Sequence, residues 1–133
     1  MVDALRAAHR ALRPHGVLVD LRPDASRPPR LVAGGRVRGT LATRPGSRRD
    51  DLAADAAVTA AVDAGLFRRG RGAGHLWHGT TFASLAELSA YVRSNRRWPA
   101  FAPGVRRTLA PFRAGPIVCR RAVKFELLDR LTQ

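Results

Sequence analysis

Residues 12–21 read Leu-Arg-Pro-His-Gly-Val-Leu-Val-Asp-Leu, and the fold is inferred outward from this stretch. Pro14 disfavours helix at the residue before it, and Gly16 permits a turn, so a helix is predicted to end here. The continuous apolar and β-branched run from Val17 to Leu21 then predicts a strand that is buried on both faces.

The flanking sequence predicts alternating helices and strands. Helical periodicity and end signals favour helices at residues 3–12, 51–64 and 84–95, the last opened by the capping box Ser84-Leu85-Ala86-Glu87, and a short helix within 103–113. Further strands are predicted at residues 75–82 and 117–125 and in a small hairpin, 30–33 and 36–39, that turns at Gly34-Gly35. Residues 22–30 and 43–49 are predicted loops, and residues 68–74 a flexible basic turn.

The composition predicts a single domain over residues 1–133, because the chain is short and 45% hydrophobic. No apolar run approaches the roughly 18 residues of a membrane span, and residues 1–5 lack the features of a signal peptide. We therefore expect a cytoplasmic protein with no membrane association. The one cysteine, Cys119, excludes an internal disulfide and is expected to be a buried small hydrophobe.

The formal charge of +14 arises from 24 basic and 10 acidic residues, and 23 of the basic residues are Arg. Arg codons are GC-rich and Lys codons are AT-rich, so a GC-rich gene would raise the Arg content whatever the function. The arginines are spread over the whole chain, and the favoured interpretation is a solvated Arg-rich surface that still attracts anions.

Residues 4–21, from Ala4 through the Arg-Pro-His-Gly turn to Leu21, resemble the helix, turn and fifth strand of class I S-adenosylmethionine-dependent methyltransferases. The rest of the chain is similar to the C-terminal half of that family. The resemblance implies an α/β fold: a partial Rossmann-like sheet made of strand five and the C-terminal antiparallel strand pair, with flanking helices and a small β-hairpin. His15 stands where the family usually has Gly, a position that tolerates His at some cost if φ is positive.

The family's strands one to four, which carry the glycine-rich cofactor turn and the acidic ribose ligand, have no counterpart in this sequence. The resemblance thus implies a partial or split methyltransferase subunit that is inactive alone. It would bind S-adenosylmethionine only with a complementary N-terminal half. The flank of the strand from Val17 to Leu21 would be bare, so we expect either a homodimer or docking of that half at this edge. A truncated gene product with no independent role is a further alternative.

A glycine pattern, Gly70-Arg71-Gly72-Ala73-Gly74, spells GxGxG but lacks the context of a cofactor loop. Such a loop follows a buried strand and opens a helix, whereas a strand is predicted to follow this segment. We therefore assign no cofactor-binding residues.

Candidate site residues are few, and none is assigned a catalytic role. Asp20 lies near the C-terminal end of a predicted central strand, the end that faces the ligand crevice in α/β sheets. Asp20, Arg22 and His78 are therefore substrate-pocket candidates, although Asp20 paired with Arg22 or Arg13 and a half-buried His78 are the plainer interpretations. His75 and His78 fall on opposite strand faces, so no metal site is predicted.

The alternative function is a basic nucleic-acid-binding or protein-interaction module. Its candidate residues for binding anions or nucleic acid are Arg68, Arg69, Arg71, Arg96, Arg97 and Trp98. An aromatic ring beside basic side chains can stack on bases. No helix-turn-helix, zinc-finger or RNA-recognition motif accompanies them.

Overall fold

The computed structural model describes residues 2–95 and 100–132. The α-helices in this part of the chain are α1 (Val2–Ala11), α2 (Pro45–Asp63), α3 (Leu85–Ser94) and α4 (Val105–Leu109), and a 3-10 turn follows at Ala110–Phe112. The strands are β1 (Val17–Pro23), β2 (Arg30–Ala33), β3 (Arg36–Ala42), β4 (Phe67–Phe82), β5 (Ala100–Phe101) and β6 (Ile117–Arg130).

Within residues 2–95 and 100–132, the six strands form one antiparallel sheet in the order β1-β6-β2-β3-β5, and β4 also pairs with β6. The chain divides into two compact units. Unit 1 comprises Met1–Pro23, Asp50–Leu76 and Val123–Gln133, and unit 2 comprises Asp24–Arg49 and Trp77–Ala122. Strands β4 and β6 contribute residues to both units. The mixed α/β class predicted from the sequence is confirmed.

Unit 1 is built on the antiparallel pair β1·β6, in register from Val17 opposite Asp129 to Pro23 opposite Val123. Helices α1 and α2 cover one face of these strands. The core between them contains Leu5, Ala57, Val58, Ala61, Phe67 and Leu128, with Leu18 packed at its margin. His15 has a φ of 61°, so its backbone is in the left-handed region. This is the position at which the resembling family usually has Gly, and His adopts this conformation at some cost.

The prediction that β1 is buried on both faces is wrong. Val17, Val19 and Leu21 are 48%, 56% and 59% exposed, whereas Leu18 packs on the helices and Arg22 is buried. Alternate side chains of a strand point to opposite faces, and α1 and α2 pack on only one of them. The apolar run therefore gives unit 1 an exposed hydrophobic sheet face.

Unit 2 is built on the hairpin of β2 and β3, which the sequence predicted at the correct Gly34-Gly35 turn. The hairpin is larger than the small excursion expected, because β2 pairs with β6 and β3 pairs with β5. Its core contains Leu31, Leu41, Phe82, Leu88, Leu109, Ile117 and Cys119. The predicted N-cap of α3 is confirmed, since Ser84 Oγ accepts from the Glu87 backbone N–H. The Glu87 carboxylate accepts from the Ala83 N–H, one residue before the N–H that a capping box uses.

Two predicted loops are regular structure. Helix α2 begins at Pro45 inside the expected loop, because proline's fixed φ and missing N–H cost little in a first helical turn. The predicted basic turn at residues 68–74 is part of strand β4. A Cβ on Gly72 would lie 2.5 Å from Leu127 Cδ1, and one on Gly74 would lie 3.0 Å from Phe125 Cε1, so these glycines make room for side chains of β6.

Within the described residues, no helix is both long and apolar enough to span a membrane.

Candidate functional site

The most unusual feature of unit 1 is a buried arginine that is bound by three carboxylates. Arg22, near the end of β1, has a side chain that is 9% exposed. Its Nε donates to Asp20, one terminal nitrogen donates to Asp55 Oδ1 of α2 at 2.6 Å, and the other donates to Glu126 of β6. A guanidinium presents its donors in a fixed planar fork, so one arginine can hold three acceptors in place.

Two further cations complete the network. Lys124 Nζ donates to Asp55 Oδ2 at 2.5 Å, and Arg69 of β4 donates to the second oxygen of Glu126. Arg69 also donates to Thr59 Oγ1 at 3.2 Å. The network thus joins three cations, Arg22, Arg69 and Lys124, to three carboxylates. The three carboxylates are Asp20, Asp55 and Glu126. We name the three cations and the three carboxylates together the Arg22 network.

The register of β1 and β6 places like charges opposite each other, and Asp55 of α2 supplies an opposite charge to one of these pairs. Asp20 lies directly opposite Glu126, and Arg22 lies directly opposite Lys124. Like charges directly opposite each other in a sheet are destabilising. Arg22 reaches diagonally to Glu126 as well as along its own strand to Asp20, and Asp55 lies between the two cations, so each like-charged pair is offset by an opposite charge.

A cavity of about 270 Å³ opens beside the network. Its lining residues are Arg22, Asp55, Thr59, Arg69, Ala73, Gly74, His75, Lys124, Phe125 and Glu126. The Arg22 and Glu126 side chains are 9% and 11% exposed, whereas those of Lys124 and Arg69 are 25% and 49% exposed. Water and ligands therefore reach the ammonium of Lys124 and the guanidinium of Arg69 more easily than the buried groups.

The contacts limit what the site can do chemically. Both oxygens of Glu126 and both oxygens of Asp55 accept hydrogen bonds from cations, which makes these carboxylates poor general bases. Lys124, Arg69 and Thr59 can donate hydrogen bonds to a small polar ligand. In the part of the chain that the structure describes, no group of His, Cys, Asp and Glu side chains could hold a metal ion.

The structure brings together two of the three substrate-pocket candidates. Asp20 and Arg22 are paired, as the plainer interpretation held, and they belong to the Arg22 network. His78 belongs to unit 2, where it is exposed on β4 rather than half-buried.

The candidate anion-binding residues divide into three groups. Arg68 pairs with Asp129 at 3.2 Å and Arg69 is held by Glu126, so both have carboxylate partners. Arg71 is exposed on β4. Arg96, Arg97 and Trp98 lie outside the described residues.

Cys119 is buried in the core of unit 2, as predicted. Burial raises the pKa of its thiol, and the nearby charge of Arg121 offsets part of that rise. The thiol therefore stays protonated and unreactive at neutral pH.

Sequence reasoning missed Asp55, Lys124 and Glu126, which complete the network. Asp55 is an acidic residue within the Ala-rich interior of α2, and Lys124 is the one lysine in the chain. Both are compositional exceptions that signal a specific contact. Their partners lie 33 to 104 residues away along the chain, so local sequence patterns contain no sign of the pairing.

Fold and site define a small mixed α/β protein with an antiparallel sheet and a buried ion network. No protein-family profile, curated protein or solved structure matches the chain.

Proposed function

We propose that this chain is a methyltransferase-related domain that acts as a partial or split methyltransferase subunit and is inactive alone. The observation that carries the proposal is the strand arrangement of unit 1. Strand β1 pairs with the antiparallel strand β6, which in turn pairs with β4, and α1 and α2 pack on the same face. The sequence resemblance implies this arrangement, in which an antiparallel strand pair lies beside strand five.

The exposed face of β1 supports docking of a complementary N-terminal half. Val17, Val19 and Leu21 present three apolar side chains in a row. Across the ladder, Val19 lies opposite Leu127 and Leu21 lies opposite Phe125, whereas Val17 lies opposite Asp129. Among the described residues β1 pairs with β6 alone, so its other flank is an open edge. An open apolar strand edge is a template for pairing with another chain. We name Val17, Val19 and Leu21 the β1 face.

A second copy of this chain is a less suitable occupant of the β1 face. Two copies would still lack the glycine-rich cofactor turn and the acidic ribose ligand, which have no counterpart in this sequence. The complementary half is therefore the proposed partner, and a homodimer is an outcome that the experiment separates from it.

The residues present do not fit S-adenosylmethionine. The glycine-rich segment lies inside β4 instead of at a helix start, and its glycines are packed by Leu127 and Phe125. On this proposal the cofactor binds only to the assembled pair. Asp20 and Arg22 then act as positioning residues. Arg22 fixes Asp55 and Glu126, and these two carboxylates hold Lys124 and Arg69 at the edge of a substrate pocket.

The test uses a lysine on the β1 face and a matched lysine elsewhere. The affinity-tagged chain, expressed in its native host, is compared with Val19→Lys and with Val37→Lys, since Val37 is a similarly exposed valine (54%) in unit 2. We expect the wild type and Val37→Lys to co-purify with a protein that carries a strand–GxGxG–helix sequence. We expect Val19→Lys to lose that protein.

The isolated complex should bind S-adenosylmethionine in calorimetry, and the chain alone should not. Micromolar binding by the chain alone contradicts the proposal. So does a stable homodimer in light scattering that Val19→Lys dissociates, because the β1 face would then serve self-association.

The alternative function, a basic nucleic-acid-binding or interaction module, is favoured by a different observation. That observation is the large positive charge of unit 2. A split methyltransferase subunit can also bind nucleic acid, so the two functions are compatible.

A further inference from the structure

The positive charge of the chain is concentrated in unit 2. By sequence, that unit holds 15 Arg and two acidic residues, Asp24 and Glu87, a formal charge of +13. Unit 1 holds nine basic and eight acidic residues, a formal charge of +1. A GC-rich gene raises Arg in both units, but it does not remove Asp and Glu from one of them. The shortage of acidic residues in unit 2 therefore needs another explanation.

The arginines of unit 2 are at its surface. Of the 13 that the structure describes, 11 are exposed. A surface with this much unbalanced charge attracts polyanions and raises their association rate. Nucleic acids are the polyanions whose binding is dominated by such arginine contacts to phosphate.

One face of the unit 2 sheet combines arginine with an aromatic ring. Arg30 of β2 lies directly opposite Arg120 of β6, and the Arg30 guanidinium carbon is 4.6 Å from the centre of the Trp77 ring of β4. The neighbouring pair, Leu31 opposite Cys119, belongs to the unit 2 core. Because side chains alternate along strands, Arg30, Trp77 and Arg120 lie on the sheet face away from that core. We name these three residues the Arg–Trp face.

The Arg–Trp face is costly without a ligand. Two arginines directly opposite each other on neighbouring strands destabilise the sheet, and a phosphate between them would remove that cost. Trp77 is 36% exposed, so part of its ring is open to a stacking partner. A base can stack on such a ring only when it is unpaired, which favours a single strand over a duplex.

We propose that unit 2 binds single-stranded nucleic acid through the Arg–Trp face, with phosphate at Arg30 and Arg120 and a base stacked on Trp77. This inference rests on the charge and geometry of unit 2 and does not depend on the proposed methyltransferase relationship. Its failure would leave that relationship standing.

Fluorescence anisotropy with labelled (dT)20 tests the charge contacts. Raising NaCl from 50 to 200 mM should weaken binding about 50-fold if about four phosphates are contacted. The double variant Arg30→Ala/Arg120→Ala should bind at least tenfold more weakly. The matched control is Arg6→Ala/Arg10→Ala, which removes the same charge from two exposed positions of α1 in unit 1, and it should change the affinity less than twofold. An equal loss in both double variants overturns the proposed face.

Trp77 tests the stacking contact. Trp77→Ala should lose about 5- to 150-fold in affinity for (dT)20, and Trp77→Phe should retain most of it. In a Trp98→Phe background, (dT)20 should quench the fluorescence of Trp77. Unchanged fluorescence, an unaffected Trp77→Ala variant, or equal affinity for a 20-base-pair duplex would each overturn the single-strand proposal. Circular dichroism of every variant checks that the fold is retained, and removing the like-charged pair is expected to leave stability unchanged or higher.

Discussion

The two compact units use charged side chains in opposite ways. In unit 1, Arg22, Arg69 and Lys124 are each held by carboxylates, and the unit is nearly neutral. In unit 2, most of the described arginines are exposed, and only two acidic residues accompany 15 Arg. The net charge of +14 is the sum of +1 from unit 1 and +13 from unit 2. It hides a charge-balanced unit beside one whose surface is suited to polyanions.

The two units differ in their acidic residues, and codon usage does not account for that difference. A bias toward GC-rich codons would favour arginine over lysine throughout the chain. It does not explain why eight of the ten acidic residues belong to unit 1. The distribution of Asp and Glu is therefore a better guide to function than the number of arginines.

Removing Arg22 should have the largest effect on stability. Arg22→Ala leaves the buried Glu126 and the partly buried Asp20 without their shared cation, and breaking such a buried pair costs about 3–5 kcal/mol. Arg36→Ala, at an exposed position in unit 2, should cost less than about 0.5 kcal/mol. Urea denaturation of both variants measures the difference. Similar small losses would show that the Arg22 network contributes little to unit 1.

Two glycine substitutions compare the packing of the units. In Gly39→Ala, the new Cβ would lie 2.8 Å from Cγ2 of Val105, a buried and stiff side chain in the unit 2 core, and should cost about 1–3 kcal/mol. In Gly72→Ala, the Cβ would lie 2.5 Å from Cδ1 and 2.9 Å from Cγ of Leu127, a flexible side chain of β6 that lies opposite Val19. We expect this second loss to be below about 1 kcal/mol, because Leu127 can change rotamer at a partly open face. The reverse order in thermal unfolding would contradict the exposure of the β1 face.

The smallest effect is expected in the rate at which Cys119 is labelled. Cys119 is buried in the core of unit 2, so its labelling rate reports on that unit alone. Burial raises the pKa of this thiol, so the thiolate fraction should still be rising at pH values above the ordinary thiol pKa. In fully unfolded chain the labelling rate should increase about tenfold per pH unit only up to the ordinary pKa, since the thiolate is the reactive form. Stopped-flow labelling with a disulfide reagent, in native buffer and in urea, measures both profiles. Equally fast labelling in the two conditions would mean that the core of unit 2 opens readily.

The parts of the fold that the sequence predicted are those set by local signals. The N-cap at Ser84 and the Gly34-Gly35 turn each depend on residues within a few positions. The errors depend on distant residues. The glycines of β4 indicate a flexible turn until Leu127 and Phe125 are placed beside them, and the apolar run of β1 indicates two buried faces until α1 and α2 cover only one.

The candidate site shows the same division. Asp20 and Arg22 are two residues apart, and their pairing was considered from the sequence. Asp55 and Glu126 reach Arg22 only through the packing of α2 and the register of β6, so no spacing rule connects them. The Arg–Trp face likewise depends on a register that places Arg30 opposite Arg120.

The central claim is that polyanion binding belongs to unit 2, and hydrogen–deuterium exchange with and without (dT)20 tests it most directly. We predict slower exchange in β2 and in the parts of β4 and β6 that carry Trp77 and Arg120, with no change in β1 or in residues 50–63 of α2. Protection spread evenly over both units, or confined to β1 and α2, would contradict the account.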